Sequence, residues 1–143
     1  MYIDEQLYQQ IIKRTVVLCV DIIIRNHTGQ VLLVKRANDP LKGEWWVIGG
    51  RMEKQETVLT ACIRKVREEV GLAVQNLRPV GFYEHIWFGD DSPYEFPLHT
   101  LSLVYEAKAL PGEIVLDDQS TEWKWDDLPE RFDYTPFQPE VRR

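Results

Sequence analysis

The chain is short of cysteine, of basic charge and of long apolar runs, and each shortage narrows what it can be. Cys19 and Cys62 are its two cysteines in 143 residues. Both fall in apolar-patterned segments, so they read as buried thiols rather than a disulfide framework or a cysteine metal site. No apolar run reaches the roughly 20 residues that cross a bilayer as a helix. The opening MYIDEQLYQQIIKR lacks the basic and apolar regions of a secretory leader. A cytoplasmic protein with no membrane partner is therefore expected. Internal repeats, low-complexity tracts and Pro/Gly/Ser-rich linkers are also missing, so residues 1–143 read as one domain. Basic residues number 17 against 23 acidic ones, a net charge of −6. A nucleic-acid polymer wants a broad basic face and is not expected as a partner. A small phosphorylated ligand stays open, because it needs only a few arginines and a metal.

What the chain does have is 44% apolar residues, enough at this length for a full core. Asp4 to Lys13 predicts a short helix with Asp4 as its N-cap and Leu7, Ile11 and Ile12 as its apolar positions. Thr15–Arg25 is rich in β-branched residues and predicts a strand. Asn26 to Gly29 is a hairpin turn signal, with Val31–Lys35 as the returning strand. Pro40 to Glu44 reads as a loop and Trp45–Ile48 as a short strand. Glu56–Val70 predicts a helix whose buried stripe is Val58, Cys62, Val66 and Val70, stopped by Gly71. Val80–Phe88 and Thr100–Ala109 predict two longer strands around a polar loop, Gly89–Pro97. Glu122–Trp125 predicts a last strand, with a turn or short helix near Asp126–Glu130 and an irregular tail from Tyr134. Strands with helices before, among and after them indicate an α+β fold or α/β/α sandwich.

The chemistry concentrates between Gly49 and Leu72, GGRMEKQETVLTACIRKVREEVGL. Helical spacing puts positions 65, 68 and 69 on one face, which here reads Lys65, Glu68, Glu69. Arg51 follows the glycine pair directly, where a loop arginine beside open backbone makes a good phosphate ligand. Gly49 has no side chain to block its carbonyl from a metal. Arg64 is placed either to pair with Glu56 and hold the loop on the helix, or to reach a diphosphate.

The segment resembles the Nudix signature: glycine, five residues, glutamate, seven residues, then Arg-Glu-apolar-x-Glu-Glu-x-Gly-apolar. Gly50, Glu56, Arg64, Val66, Glu68, Glu69, Gly71 and Leu72 are in register, and Lys65 replaces one glutamate. The resemblance implies a mixed β-sheet between helices, with the motif as a loop-helix-loop. The full signature carries three carboxylates on the helix face and suits two or more hard cations. With Lys65 there, one Mg²⁺ (or Mn²⁺) is expected, held by Glu69 and Glu68. Further segments, KRANDPLKGEWWVIGGRMEK, VGFYEH and DDQSTEWKW, are similar to the GDP-mannose mannosyl hydrolase branch. That likeness implies a nucleotide-sugar substrate, with water attacking the anomeric carbon and GDP departing. It implies Gly49, Glu69 and Gln119 as metal ligands and Arg51 and Arg64 as stabilisers of the leaving diphosphate. Asp21 and Arg36 would recognise substrate. It also implies a homodimer in which an N-terminal segment packs on the neighbour.

The branch has a catalytic histidine after the metal-binding glutamine, and this chain has Ser120. A serine cannot accept a proton usefully near neutrality. Glu122 is the nearest replacement base, with His85, His99 and Asp118 as others. Trp45, Trp46, Tyr83, Trp87 and Tyr94 are candidates to stack on a base or sugar, of which at most two are expected in the pocket. Two alternatives remain beside nucleotide-sugar hydrolysis. One is a conventional Nudix pyrophosphohydrolase, and the other a non-catalytic nucleotide-sugar sensor.

Overall fold

A computed structural model describes residues 2–138. Its centre is strand β1, Val17–Arg25, whose near-continuous apolar run is buried on both faces. Strand alternation sends Val20, Ile22 and Ile24 to one side and Ile23 to the other, into two separate clusters. A side chain of that size, fully buried, stabilises by about 1.5–3 kcal/mol. Hydrogen bonds tie β1 in parallel to β6, Leu98–Ala109, from Val17 opposite Thr100 to Arg25 opposite Lys108. Antiparallel pairing joins it to β2, Val31–Arg36, and to β4, Ile48–Arg51.

The remaining strands extend the sheet outward. β3, Trp45–Trp46, and β7, Ser120–Asp126, pair with β2. β5, Val74–Trp87, pairs with β6, and the two-residue β8, Thr135–Pro136, pairs with β5. The sheet is therefore mixed, as expected. On one face lies helix α2, Val58–Val70, whose Ala61, Cys62, Val66 and Val70 pack on β1 and β2. The other face is covered by Phe132, Leu128 and Tyr134 with Trp46. Residues 127–134 there form turns and irregular chain, so the turn alternative holds near Asp126–Glu130.

Several strand ends shift by one or two residues, β1 to Val17, β6 to Leu98 and β7 to Ser120–Asp126, and three larger differences have local reasons. Trp45–Ile48 splits in two, because the chain leaves β2 after Trp46 and joins β1 at Ile48. β5 begins six residues before Val80, since register shifts absorb Asn76, at φ 59°, and Pro79, which read as strand breakers. α2 starts at Val58 with Thr57 as its cap, leaving Glu56 in the loop. The first helix, α1, spans Glu5–Ile12 with Asp4 capping as expected. Its buried face differs: Ile12 is buried and Tyr8 half-buried, one turn apart, while Leu7 and Ile11 are exposed. The tail from Tyr134 contributes β8, and its part from Pro139 lies outside the described residues.

Candidate active site

The loop from Gly49 to Glu56 is held on α2 by one arginine. Arg64 Nε donates to Glu56 Oε2 at 2.9 Å and Nη2 to Glu56 Oε1 at 2.7 Å. The same Nη2 donates to the Arg51 carbonyl at 3.1 Å, and Nη1 reaches Glu68 at 3.1 Å. Glu56 in turn accepts the Glu53 amide at 2.7 Å. The Arg64 bond holds the Glu56 carboxyl down at about 2. Of the two readings for Arg64, the structure shows the loop-holding pair.

Above this clamp lies a cavity of about 370 Å³ between β1, β4, α2, α1 and the loops after β2 and β5. Gly49, Glu69, Gln119, Asp21, Arg36 and Arg51 all line it. The structure thus brings together six of the nine residues singled out by sequence. The glycine is required by close approach: a Cβ at Gly49 would run into Asp21 Oδ1 and the Val20 carbonyl. Its amide donates to Glu69 Oε2 at 3.2 Å. Glu69 is 6% exposed, and that burial pushes its carboxyl up to about 7 against the opposing pull of Lys65. Asp21 is also buried and is raised to about 6, with Ser102 and Arg36 opposing the shift. Arg36 is steadied by donating from Nε to the Pro40 carbonyl at 2.7 Å. The Arg51 guanidinium lies 5.2 Å from the centre of the Tyr8 ring, a cation–π contact.

Three expectations need correction. Arg64 does not line the cavity, because its donors are already taken by Glu56, Glu68 and the Arg51 carbonyl. Glu68 is half exposed and paired with Arg64 and Lys65 rather than facing the cavity. Glu122 is 59% exposed and sits 3.3 Å from Lys35. A register shift between Lys35 and Arg36 sets Glu122 opposite Lys35, away from the cavity, while Ser120 pairs opposite Arg36. The other base candidates are also elsewhere. His99 pairs with Glu84 at 2.8 Å. His85 stacks on Trp87 at 4.0 Å and lines a neighbouring cleft. Asp118 is exposed.

Aromatic lining is richer than the sequence led one to expect: Trp46, Tyr83, Trp87 and Tyr94 all face the cavity, and only Trp45 does not. Trp45 instead takes the Lys124 ammonium 4.4 Å above its ring. Tyr94 comes from the polar loop after β5. Tyr8 and Asp39 were missed, and Lys65 was read only as a lost carboxylate, not as part of the lining. The only signal for Tyr8 was its place one turn before Ile12. Nothing local marked Asp39.

The lining suits one hard cation beside a diphosphate. Glu69, Gly49 and Gln119 line the same space, and each carries an oxygen of the type that Mg²⁺ takes. Among the described residues no group of three or more His, Cys, Asp or Glu forms a metal cluster. The charged lining is Asp21, Asp39 and Glu69 against Arg36, Arg51 and Lys65, which cancel. A diphosphate entering such a space brings unbalanced negative charge, and a divalent cation would offset it.

Comparison with known proteins identifies the family. The family model for the NUDIX domain matches residues 16–142. The low-salt glycan biosynthesis protein Agl8 of Haloferax volcanii is 31% identical over 99% of this chain and 87% of its own length. An ADP-ribose pyrophosphatase of Methanocaldococcus jannaschii is 34% identical over 70% of this chain and 56% of its own. In three dimensions the chain is similar to a MutT NUDIX hydrolase from Burkholderia pseudomallei. The TM-score is 0.68 at 28% identity, covering 82% of this chain and 89% of that one.

Proposed function

Because the chain belongs to the NUDIX family of hydrolases, we propose that it hydrolyses a nucleoside diphosphate sugar of the GDP-mannose or GDP-glucose type. Water attacks the anomeric carbon, and GDP and free sugar are released in the cytoplasm. The observation that carries this reading is that α2 presents one buried carboxylate, Glu69, with Lys65 where a further carboxylate would stand. Attack at phosphorus gains from a second metal that activates water, whereas departure of an intact diphosphate needs only charge stabilisation. The likeness to a protein named for glycan biosynthesis supports a sugar nucleotide.

In this reading Glu69, the Gly49 carbonyl and Gln119 would hold Mg²⁺ or Mn²⁺. Bound there, the ion supplies positive charge to the departing diphosphate. Arg36 and Arg51 bind the diphosphate from the cavity wall, and Asp21 binds the sugar. Arg64 acts one step back, by fixing the loop that presents Gly49 and Arg51. With Glu122 outside the cavity, proton acceptance from water falls to Asp21 or Asp39, the carboxylates that line it besides Glu69. The chain works as a homodimer. Leu7, Ile11, Val16 and Leu18 are exposed around its N-terminal helix and would meet the neighbour. Light scattering at working concentration would read twice the chain mass, and a monomer would end that part.

Incubation with GDP-mannose and Mg²⁺ in ¹⁸O-water tests the reaction. GDP with label in free mannose supports it. GMP with mannose 1-phosphate would instead establish the conventional pyrophosphohydrolase, the reading favoured by the ADP-ribose pyrophosphatase likeness. In that case Lys65→Glu should raise diphosphate cleavage. Binding across a nucleotide-sugar panel without turnover would make the protein a sensor.

A further inference from the structure

Lys65 is a cation inside the cavity with a partner of its own. Its ammonium lies 3.4 Å from Glu69 Oε1 and 3.8 Å from Glu68 Oε2, and its side chain is 13% exposed. The other oxygen of Glu69 already accepts the Gly49 amide. Both oxygens of the buried carboxylate are therefore taken, one of them by a positive charge. A divalent cation approaching Glu69 meets that charge, and two cations do not share one carboxylate oxygen without strong repulsion. Glu68 holds the lysine less firmly, being half exposed and paired closer to Arg64, at 3.1 Å.

We propose that Lys65 is a transferable counter-ion, paired with Glu69 until a divalent cation takes that carboxylate and then passed to the substrate's diphosphate. The idea rests on the reading that the cavity receives a nucleoside diphosphate. Three features support it. The four-carbon stem of lysine lets the charge move, which a planar arginine fork would not. The stem lies against Gly50, where a Cβ would meet Lys65 Cε at 2.7 Å, so the glycine keeps its path open. Lys65 also shares the cavity wall with Arg36 and Arg51, so a diphosphate held by them is a neighbouring acceptor. A nearly buried ammonium that loses one anion needs another, which makes cation and diphosphate binding mutually favourable.

Mn²⁺ alone, GDP alone and each in the presence of the other should be titrated by calorimetry, with bound Mn²⁺ also followed by electron paramagnetic resonance. Wild type is compared with Lys65→Met, which keeps stem length, and Lys65→Arg, which keeps charge. The Met variant should bind Mn²⁺ alone about tenfold tighter, at the lower end of couplings of about 5- to 150-fold. It should bind GDP more weakly than wild type when Mn²⁺ is present and nearly equally when it is not. The Arg variant should show no gain in Mn²⁺ affinity, which separates loss of charge from loss of packing. Unchanged Mn²⁺ affinity in Lys65→Met overturns the proposal. So does a GDP defect of equal size with and without Mn²⁺. If wild type ignores GDP altogether, the nucleotide reading fails and the handover with it. The Mn²⁺-only titration still decides whether Lys65 guards Glu69.

Discussion

At the scale of single residues, two adjacent glycines make opposite predictions. A methyl group at Gly49 would strike Asp21 Oδ1 and the Val20 backbone, which cannot move without breaking the β1–β4 pairing. At Gly50 it would meet only the flexible end of Lys65. Gly49→Ala should therefore lower the denaturation midpoint by an amount typical of an overpacked core, about 1–3 kcal/mol. Gly50→Ala should stay within about 1 kcal/mol. Urea unfolding compares the two. Glu56 makes a pH prediction. Its carboxyl is held at about 2, against an ordinary 4.5, by the Arg64 bond. A depressed value means that the ionised form is favoured by folding. The stabilisation is complete above pH 4.5 and fades as pH falls through 4.5 toward 2. Wild type should lose its advantage over Glu56→Gln in that window, as urea midpoints measured at a series of pH values would show. Cys62 makes a third. Burial pushes its thiol up to about 12, so it should resist a thiol reagent at pH 8 until the chain unfolds. The Nudix-like glycines and Glu69 were legible in sequence because spacing alone defines them. The place of Glu122 was not, and Arg64 was legible only as a choice between two roles, because both depend on which neighbour a strand or helix turns them toward.

At the scale of elements, α2 carries the site and is secured at both ends. Thr57 Oγ1 accepts the Thr60 amide at 3.1 Å, and Gly71 ends the helix at φ 70°. Thr57→Ala should cost about 1 kcal/mol of stability. Gly71→Ala should cost about 1–2 kcal/mol from backbone strain alone, since the nearest atom to a new Cβ is at an ordinary 3.6 Å. Thermal or denaturant unfolding of each variant checks both values. The sequence showed this helix well because its apolar stripe repeats every fourth residue and a glycine stops it. It showed α1 less well. Leu7 and Ile11 had the greater hydrophobicity, yet the buried pair is Tyr8 and Ile12, because the site recruits the Tyr8 ring to Arg51. β5 was cut short in the reading because Pro79 and Asn76 argue against a strand wherever no register shift accommodates them.

At the scale of the whole molecule, the fold class followed from patterns that any local window contains. The cavity did not, because its walls come from positions far apart in the chain. Tyr8, Asp21, Arg36, Glu69, Tyr94 and Gln119 meet only after β1 has paired with β6, whose partners lie some eighty residues downstream. Closing such distant pairs is slow and cooperative. No short fragment of the chain contains the complete pocket, whose lining runs from Tyr8 to Gln119. After dilution from denaturant, the capacity to capture nucleotide should therefore reappear together with the last native tryptophan signal, and limited proteolysis that nicks any one wall should abolish affinity rather than reduce it by degrees.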